Sequence, residues 1–349
     1  ACNSELMENK TGIFLENPEF EFHYLWSDPT NIGQRTDVSI TQSFDFPTVY
    51  SHQSAISDIK NEQVELRFLK EQKSLVLETR LLLLELIYYN ALNQQLKNRL
   101  THAQSIASSY QSKFNAGECN ILEYNKSQLN LLNLQKELES IEIERQLLLA
   151  QLRTLNGGKA LVFDQSQYET VDLPLDFEQW YAQAEAVNPV LNWIKQELEL
   201  SQRKIKLSKA QSLPKLQAGY MSEAVGVEKF QGLIVGLSIP LWENKNTVKF
   251  AKANTEAMLS LSTDRKLEFY HHLRSLYEKS NSLMINTTDY REQLSKYEHS
   301  ELLNKALDKG QITLIDYMLE LAIYYKSQDN LLEMERNLNL NLAKLYQFM

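Results

Sequence analysis

Glycine and proline are confined to short segments of this chain, and their distribution limits what the chain can fold into. All seven prolines lie within 18–47 or 174–240. Between residues 48 and 156 the only glycine is Gly117, and between 241 and 349 the only one is Gly310. Because glycine and proline are the strongest helix breakers, two arms that nearly lack both are predicted to form long helices.

The two arms are predicted to be copies of one unit. An offset of 193 residues places Pro47 on Pro240 and also places Gly117 on Gly310, so each glycine follows its proline by 70 residues. Side-chain identity between the copies is low, but the helix-breaking positions coincide. The chain is therefore predicted to contain two tandem repeats.

Before each arm the hydrophobic period changes from helical to alternating, which is typical of a strand with one apolar and one polar face. The predicted apolar-face residues are Val38, Ile40, Phe44, Phe46, Leu233, Val235, Leu237 and Ile239. The predicted polar-face residues are Asp37, Ser39, Thr41, Ser43 and Asp45. A second alternating run precedes each of these strands, so each repeat is predicted to begin with a β-hairpin, the first with its turn at 27–33.

The predicted fold is mainly α with a small β part: two tandem repeats of a β-hairpin followed by long antiparallel coiled-coil helices. Asp176 is a predicted helix N-cap, and the Asn188-Pro189 step is predicted to kink the helix that follows. The predicted segments are 1–17 (the remainder of a first helix), 18–47 (hairpin of repeat 1), 48–156 (helical arm of repeat 1, tip at 114–124), 157–176 (a link at mid-height), 177–213 (a helix leading to repeat 2), 214–240 (hairpin of repeat 2) and 241–349 (helical arm of repeat 2, tip at 307–317).

Several functional classes are excluded by composition and spacing. The longest apolar run is far shorter than the roughly 20 residues that a membrane-spanning helix needs. A formal charge of −9 without basic clusters argues against nucleic-acid binding. Cys2, Cys119 and the His271-His272 pair lack metal-ligand spacing. We expect no enzyme activity, no metal and no cofactor.

The alternating strands allow two interpretations. If their apolar faces contact lipid, open strand edges are forbidden there, so the strands must close with those of other subunits and the polar faces must line a wet lumen. The same alternation also fits ordinary amphipathic ribbons on a soluble core. The strand pattern alone leaves both interpretations open.

Taken together, these motifs resemble the TolC-like outer membrane efflux proteins. The matching residues are Ser43-Phe44-Asp45-Phe46-Pro47, Leu213-Pro214, Gly236-Leu237-Ser238-Ile239-Pro240-Leu241, Gly117 with Glu123-Tyr124, and Gly310 with Asp316-Tyr317. The resemblance implies a homotrimer in which a transmembrane β-barrel in the outer membrane continues as a periplasmic tunnel. It also implies that this trimer is the passive exit duct of an efflux or secretion system. A periplasmic adaptor and an inner-membrane pump would be its partners. The alternative, from a different class, is a soluble coiled-coil scaffold or tether.

The resemblance also implies roles for the two tips. Gly117 and Gly310 would form the turns, Phe114 and Leu307 would act in apolar packing or adaptor docking, and Glu123 and Asp316 would contribute carboxylates to the entrance. Solvated acids on a helix surface are the simpler interpretation of the two carboxylates. Residues that form a salt-bridge latch in the family are replaced here by Leu307, Ile312 and Leu319, which puts a latch of that type in doubt.

The first residues lack the basic and apolar stretches of a signal peptide. The helix before Pro214 spans about 36 residues, whereas only 17 residues precede Pro18. By comparison with repeat 2, the first helix is expected to begin about 19 residues before residue 1. We therefore expect the chain to be a truncated form.

Overall fold

The computed structural model describes residues 2–26, 28, 33–242, 244–297 and 300–348, excluding the side chains of 300 and 301. Repeat 1 and the segment that follows it contain α1 (Cys2–Glu8), β1 (Glu19–Trp26), β2 (Gln34–Phe44), α2 (Pro47–Asn115), α3 (Ile121–Leu155), α4 (Phe177–Val187) and α5 (Pro189–Ala210). Repeat 2 contains β3 (Lys215–Val225), β4 (Glu228–Ser238), α6 (Thr247–Ser295), α7 (Ser300–Asp308) and α8 (Leu314–Leu345). The predicted mainly helical fold with a small β part is confirmed.

The chain divides into two compact units. The first, the sheet unit, consists of Ala1–Glu71 and Glu185–Phe269. The second, the tip unit, consists of Gln72–Ala184 and Tyr270–Met349. In the sheet unit, α2 packs on α5 through an apolar cluster of Ile56, Ile59 and Leu200. In the tip unit, Leu86 of α2 packs on Leu148 and Leu152 of α3.

The four strands form one antiparallel sheet in the order β1-β2-β3-β4. Its centre joins the two repeats, because β2 of repeat 1 pairs with β3 of repeat 2 from Arg35 opposite Val225 to Phe44 opposite Leu216. The strands β2 and β4 end at Phe44 and Ser238, so Asp45, Phe46 and Ile239 follow the strands. The turn predicted for the first hairpin falls largely on residues 27 and 29–32, which lie outside the described part of the chain.

The side chain of Asp176 caps α4, as the sequence predicted. The Asp176 carboxylate accepts hydrogen bonds from the backbone N–H groups of Glu178 (2.8 Å) and Gln179 (3.3 Å). The predicted kink is a complete break, since α4 ends at Val187 and a new helix begins at Pro189. The buried side chain of Asn188 caps that second helix. Proline follows at the first helical position, where it needs no N–H partner.

The second arm contains an interruption that the sequence analysis did not predict. Helix α6 ends at Ser295, and the backbone N–H groups of Lys296 and Tyr297 then donate to carbonyls three residues earlier, at 3.1 Å each. Such i→i−3 bonds tighten the end of an α-helix. Since 241–309 contains neither glycine nor proline, helix propensity gave no sign of this end. Residues 298 and 299 lie outside the described part of the chain.

The link 157–176 has no helix or strand of its own, yet three helices of the tip unit hold its backbone. Asn90 of α2 donates to the carbonyls of Phe163 (3.1 Å) and Gln165 (2.9 Å). The hydroxyls of Tyr277 in α6 and of Tyr346, the C-cap residue of α8, donate to the carbonyls of Pro174 (2.9 Å) and Asp172 (2.6 Å). Side-chain donors therefore satisfy link carbonyls that have no ladder partner.

Across the described ranges, we find no helix that combines the length and the apolar character needed to cross a membrane.

Candidate functional site

The two tips close by the same backbone geometry. Gly117 and Gly310 have φ angles of 75° and 68°, in the left-handed region that glycine tolerates best. The residue after each glycine donates its N–H to the carbonyl five positions earlier, Glu118 to Lys113 at 2.8 Å and Gln311 to Ala306 at 2.9 Å. This is the Schellman arrangement that ends many helices, so the repeat extends to the hydrogen bonds of its turns.

Both predicted entrance carboxylates cap the helix that follows their turn. At tip 1 the side chain of Asn120 accepts from the N–H of Glu123 (2.9 Å), and the Glu123 carboxylate accepts from the N–H of Asn120 (3.1 Å). At tip 2 Thr313 and Asp316 form the same reciprocal pair, with an additional 2.6 Å bond from the Thr313 hydroxyl to the Asp316 carboxylate. Such capping boxes satisfy N–H groups that a helix start leaves without partners.

The hydrogen bonds of the second box also affect ionisation. The Thr313 hydroxyl, followed by the Thr313 backbone N–H, lowers the pKa of Asp316 below its ordinary value because both donors favour the carboxylate form. Asp316 is exposed and Glu123 is partly exposed. The two acids are thus placed at the helix starts, each bonded to its own cap residue.

The aromatic residues that follow the two acids differ in burial. At tip 1 Tyr124 stacks on Phe114, with ring centroids 5.0 Å apart, and Phe114 keeps about a third of its surface exposed. At tip 2 Tyr317 is 1% exposed, and its hydroxyl donates to Asn304. Burial, with smaller contributions from Tyr325 and Asp308, raises the pKa of Tyr317 to about 12.

One apolar cluster connects the two tips. Tyr110 of α2 packs with Leu314, Tyr317 and Leu321 of α8, and Cys119, Leu307 and Ile312 pack against the edge of this cluster. Leu307 is therefore a packing residue, whereas its counterpart Phe114 is a partly exposed one. Cys119 is a free thiol.

The strand register places most of the large apolar residues of the four strands on one face of the sheet. Phe20 lies opposite Ile40, which lies opposite Tyr220, which lies opposite Leu233. The same face carries Phe22, Val38, Phe44, Leu216, Ala218, Val235 and Leu237. Leu233 and Val235 expose 86% and 85% of their surface. A contiguous apolar face that one chain leaves uncovered is typical of a surface that contacts lipid or protein.

Charged groups on the opposite face pair across the repeats. Arg35 of β2 contacts Asp37 at 2.9 Å and Glu223 of β3 at 3.2 Å. Lys215 of β3 contacts Asp45 at 3.3 Å. Ser39, Thr41 and Ser43 lie between these pairs on the same face of β2, because side chains two residues apart share a face. The β2 residues of this face are polar along the strand.

The strands β1 and β4 are the outer strands of this sheet, and within the described residues each pairs along one edge. The four strands alternate in direction, so β1 of one copy and β4 of another run antiparallel when the sheet is extended. Strands of 11 residues, the length of β2, β3 and β4, match the roughly 9–11 residues of a transmembrane β-strand.

The capping partners of Glu123 and Asp316 were not predicted from the sequence. Asn120 and Thr313 stand three positions before the two acids, a spacing that is the sequence signature of a capping box. The ion pair at 2.6 Å between the buried Arg99 of α2 and Asp329 of α8, which is 25% exposed, was also not predicted. No local sequence pattern links residues so far apart. No set of three or more His, Cys, Asp or Glu residues able to hold a metal ion occurs among the described residues.

The fold is similar to that of solved outer membrane channels. The CmeC channel of Campylobacter jejuni has a TM-score of 0.79 at 13% identity over 99% of this chain and 79% of that one. The outer-membrane channel OprN has a TM-score of 0.80 at 13% identity, with 99% and 83% covered. VceC of Vibrio cholerae, an outer membrane protein, has a TM-score of 0.79 at 11% identity, with 99% and 90% covered.

No family model matches the sequence, and no curated protein matches it either. The structural comparisons nevertheless confirm the predicted resemblance at the level of fold, because alignments over nearly the whole chain reach TM-scores of 0.72–0.80. The chain has the TolC-like fold.

Proposed function

We propose that this chain is one subunit of a homotrimeric outer-membrane exit duct. It would serve a tripartite efflux or secretion system as a passive channel that extends into the periplasm. A periplasmic adaptor would open it by docking at the tips, and the inner-membrane pump would supply the energy. Outer-membrane lipid would contact the apolar face of the sheet, and the polar face would line the lumen.

The observation that carries this proposal is the exposed apolar face of a sheet whose outer strands, among the described residues, each pair along one edge. A soluble coiled-coil scaffold has no need for Leu233 and Val235 to be more than four-fifths exposed in a row of apolar neighbours. In lipid, each unpaired backbone group costs several kcal/mol, so the free edges of β1 and β4 must pair with other strands. Three copies of a four-stranded sheet give an even-numbered antiparallel barrel, as transmembrane barrels require.

Within this proposal the lipid-facing residues are Val38, Ile40, Phe44, Phe46, Leu233, Val235, Leu237 and Ile239, and the lumen-facing residues are Asp37, Ser39, Thr41, Ser43 and Asp45. Phe114, Leu307 and the two glycine turns would form the docking region at the tips. Glu123 and Asp316 would contribute six carboxylates around a three-fold axis and favour cations there. The capping bonds of Asp316 are compatible with that role, since its Thr313 donors lower its pKa and favour the carboxylate form.

The test uses the full-length chain purified in detergent. A channel subunit should run as a trimer that dissociates on heating, and it should produce conductance steps in planar bilayers. A monodisperse monomer that stays in solution without detergent would refute the duct and favour the scaffold.

A further inference from the structure

A cavity of about 670 Å³ lies in the tip unit, between the link 157–176 and the helices α2, α6 and α8. The residues that line it come from 91–98, 166–172, 284–291 and 332–342, so none belongs to the sheet or to a tip. Cavities of about 300–1,000 Å³ are the usual size of small-molecule sites in proteins. This cavity is therefore large enough for a small organic ligand, and it is separate from the regions that the proposed function uses.

One buried hydroxyl in the wall of this cavity lacks a hydrogen-bond partner. Thr287 of α6 is 1% exposed, and its side-chain oxygen forms no hydrogen bond within the described part of the chain. A helical threonine often bonds to the carbonyl four residues earlier, as the hydroxyl of the adjacent Thr288 does with Met284 at 2.8 Å. Because buried polar atoms are nearly always paired, the oxygen of Thr287 points to a bound group that supplies the missing partner.

The charged groups around the cavity favour a cation. The wall contains three carboxylates, Glu169, Asp172 and Glu335, and one guanidinium, Arg291. Arg291 already bonds to Glu335 through two nitrogens, at 2.7 and 3.3 Å. Arg80 borders an adjoining smaller cavity together with Glu169, but among the described residues neither Glu169 nor Asp172 forms an ion pair. The carboxylates of the link are therefore free to bind a cation from solution.

The rest of the wall combines apolar side chains with side-chain oxygens. The apolar residues Met284, Leu332, Leu338 and Leu342 can cover a hydrocarbon chain, and Gln94 and Asn98 of α2 provide amide oxygens. An ammonium group has N–H donors and no acceptor, so it matches carboxylate, amide and hydroxyl oxygens. An anion would be repelled by the excess of carboxylates, and a neutral ligand would leave them unpaired.

We propose that this cavity binds a small aliphatic diamine. Its ammonium groups bind the carboxylates of Glu169 and Asp172 and the hydroxyl of Thr287, and its hydrocarbon chain packs on the leucines of α8. Such a ligand contacts the link and three helices at once, so it holds the link in place. The proposal goes beyond the duct function and does not depend on it, because binding can be measured without conductance.

Isothermal titration calorimetry of the full-length chain in a non-ionic detergent tests this site, with octamethylenediamine as the probe. We expect saturable binding at one site per chain, and added salt should weaken it because exposed charge pairs are screened. Octamethylene glycol, which is neutral, and suberate, which carries two carboxylates, have the same chain length and are the controls. Neither should bind at concentrations at which the diamine saturates the site.

A matched pair of threonine variants tests the hydroxyl. Thr287→Val removes the unpartnered oxygen and keeps the shape of the side chain, so it should raise the Kd of the diamine about two- to tenfold, the usual worth of one hydrogen bond. Thr101→Val removes a hydroxyl that donates to the carbonyl of Lys97 within α2 at 3.0 Å, outside the cavity. It should leave the Kd within about twofold of the native value.

A second matched pair tests the carboxylates. Glu169→Gln combined with Asp172→Asn should raise the Kd about fivefold or more at low salt, because each exposed charge pair contributes modestly. Asp164→Asn removes an exposed carboxylate of the same link that does not line the cavity, and it should leave the Kd unchanged.

Hydrogen exchange measured by mass spectrometry locates the bound diamine. At a concentration about ten times the Kd, amides of 166–172 that exchange by local opening should slow about tenfold, whereas those at the Gly117 and Gly310 turns should not change. Absence of saturable binding, equal binding of the glycol, or equal Kd values in all variants would overturn the proposal. A chain that binds the diamine but never conducts would refute the duct and leave this site standing.

Discussion

The capping box at tip 2 allows the structural role of Asp316 to be separated from its proposed role at the entrance. Thr313→Ala removes the hydroxyl that accepts from the Asp316 N–H (3.2 Å) and donates to the Asp316 carboxylate (2.6 Å), while the charge is kept. In the native chain the Thr313 N–H donates to the Asp316 carboxylate at 3.2 Å. Asp316→Asn removes the charge, but the amide oxygen of the variant still accepts this hydrogen bond. Thr313→Ala therefore keeps a carboxylate at the tip, and Asp316→Asn removes it.

Loss of an N-cap side chain costs about 1 kcal/mol, with a range of about 0.5–2. Since α8 starts at the exposed end of a tip, this cost should become visible as local opening. Backbone amides in the first turn of α8 should exchange with solvent about fivefold faster in Thr313→Ala, because a factor of ten corresponds to about 1.4 kcal/mol. Asp316→Asn loses the favourable interaction of a carboxylate with the helix start, about 0.3–1 kcal/mol, so these rates should rise by about two- to fivefold at neutral pH and should no longer respond to protonation of residue 316.

The cap also has a predictable pH dependence. The pKa of Asp316 is lowered in the folded chain, so its stabilising contribution is present above the ordinary aspartate range and is lost as the pH falls through the lowered pKa. In Thr313→Ala the pKa of Asp316 should return towards its ordinary value, and the contribution should be lost at a higher pH. Amide exchange of the first turn of α8, measured by mass spectrometry between neutral and acidic pH, follows both effects.

Ion selectivity supplies the second measurement. If Asp316 acts at the entrance, reversal potentials in a salt gradient should show weaker cation preference in Asp316→Asn and no change in Thr313→Ala. Asn120→Ala and Glu123→Gln repeat the comparison at tip 1. Unchanged exchange in Thr313→Ala would refute the capping argument, and unchanged selectivity in both acid variants would remove the carboxylates from the proposed entrance.

Three further predictions concern the sheet, the turns and the buried tyrosine. Leu233→Lys places a charge on the proposed lipid face at a cost of up to about 2–4 kcal/mol and should reduce the yield of heat-dissociable trimers in vesicles, whereas Ser39→Lys on the opposite face should not; equal yields would contradict the face assignment. Gly310→Ala forces a side chain into φ 68° and should cost about 1–2 kcal/mol, seen as a lower unfolding temperature, whereas Gly232→Ala, where an added Cβ meets open space, should have little effect. The pKa of Tyr317 is raised to about 12, so its contribution to stability should be full below pH about 10 and fall as the pH rises towards 12. The phenolate absorbance of the native chain minus that of Tyr317→Phe measures this titration, and an ordinary value would contradict the burial of the hydroxyl.

Much of the fold can be predicted from local sequence. Long helices follow from the absence of glycine and proline between Pro47 and Gly117, since each residue in such a stretch tolerates the helical backbone. The strands follow from period-2 alternation, and the cap at Asp176 follows from a side chain that bonds to the next turn. These features depend on neighbours within a few residues, so the sequence alone identifies them.

The break after Ser295 could not be predicted from local sequence, because no residue near it is a helix breaker.

The candidate site likewise has features that local sequence predicts and others that it does not. The sequence located Glu123 and Asp316 next to the glycine turns, and the Asn120 and Thr313 spacing would have identified them as capping residues as well. Phe114 and Leu307 occupy equivalent positions in the repeats but differ in burial. Leu307 packs against the apolar cluster between the tips, whereas Phe114 is 36% exposed.

The sequence by itself determined the two repeats, their hairpins, their helical arms and the turns at Gly117 and Gly310, since all of these depend on backbone preferences of short segments. Only the tertiary structure decided that β2 pairs with β3 to join the repeats in one sheet, and that Arg99 meets Asp329 across 230 positions of the chain. Such contacts arise when distant segments bury apolar surface together, and their free energy comes from packing and desolvation that no short stretch of sequence encodes.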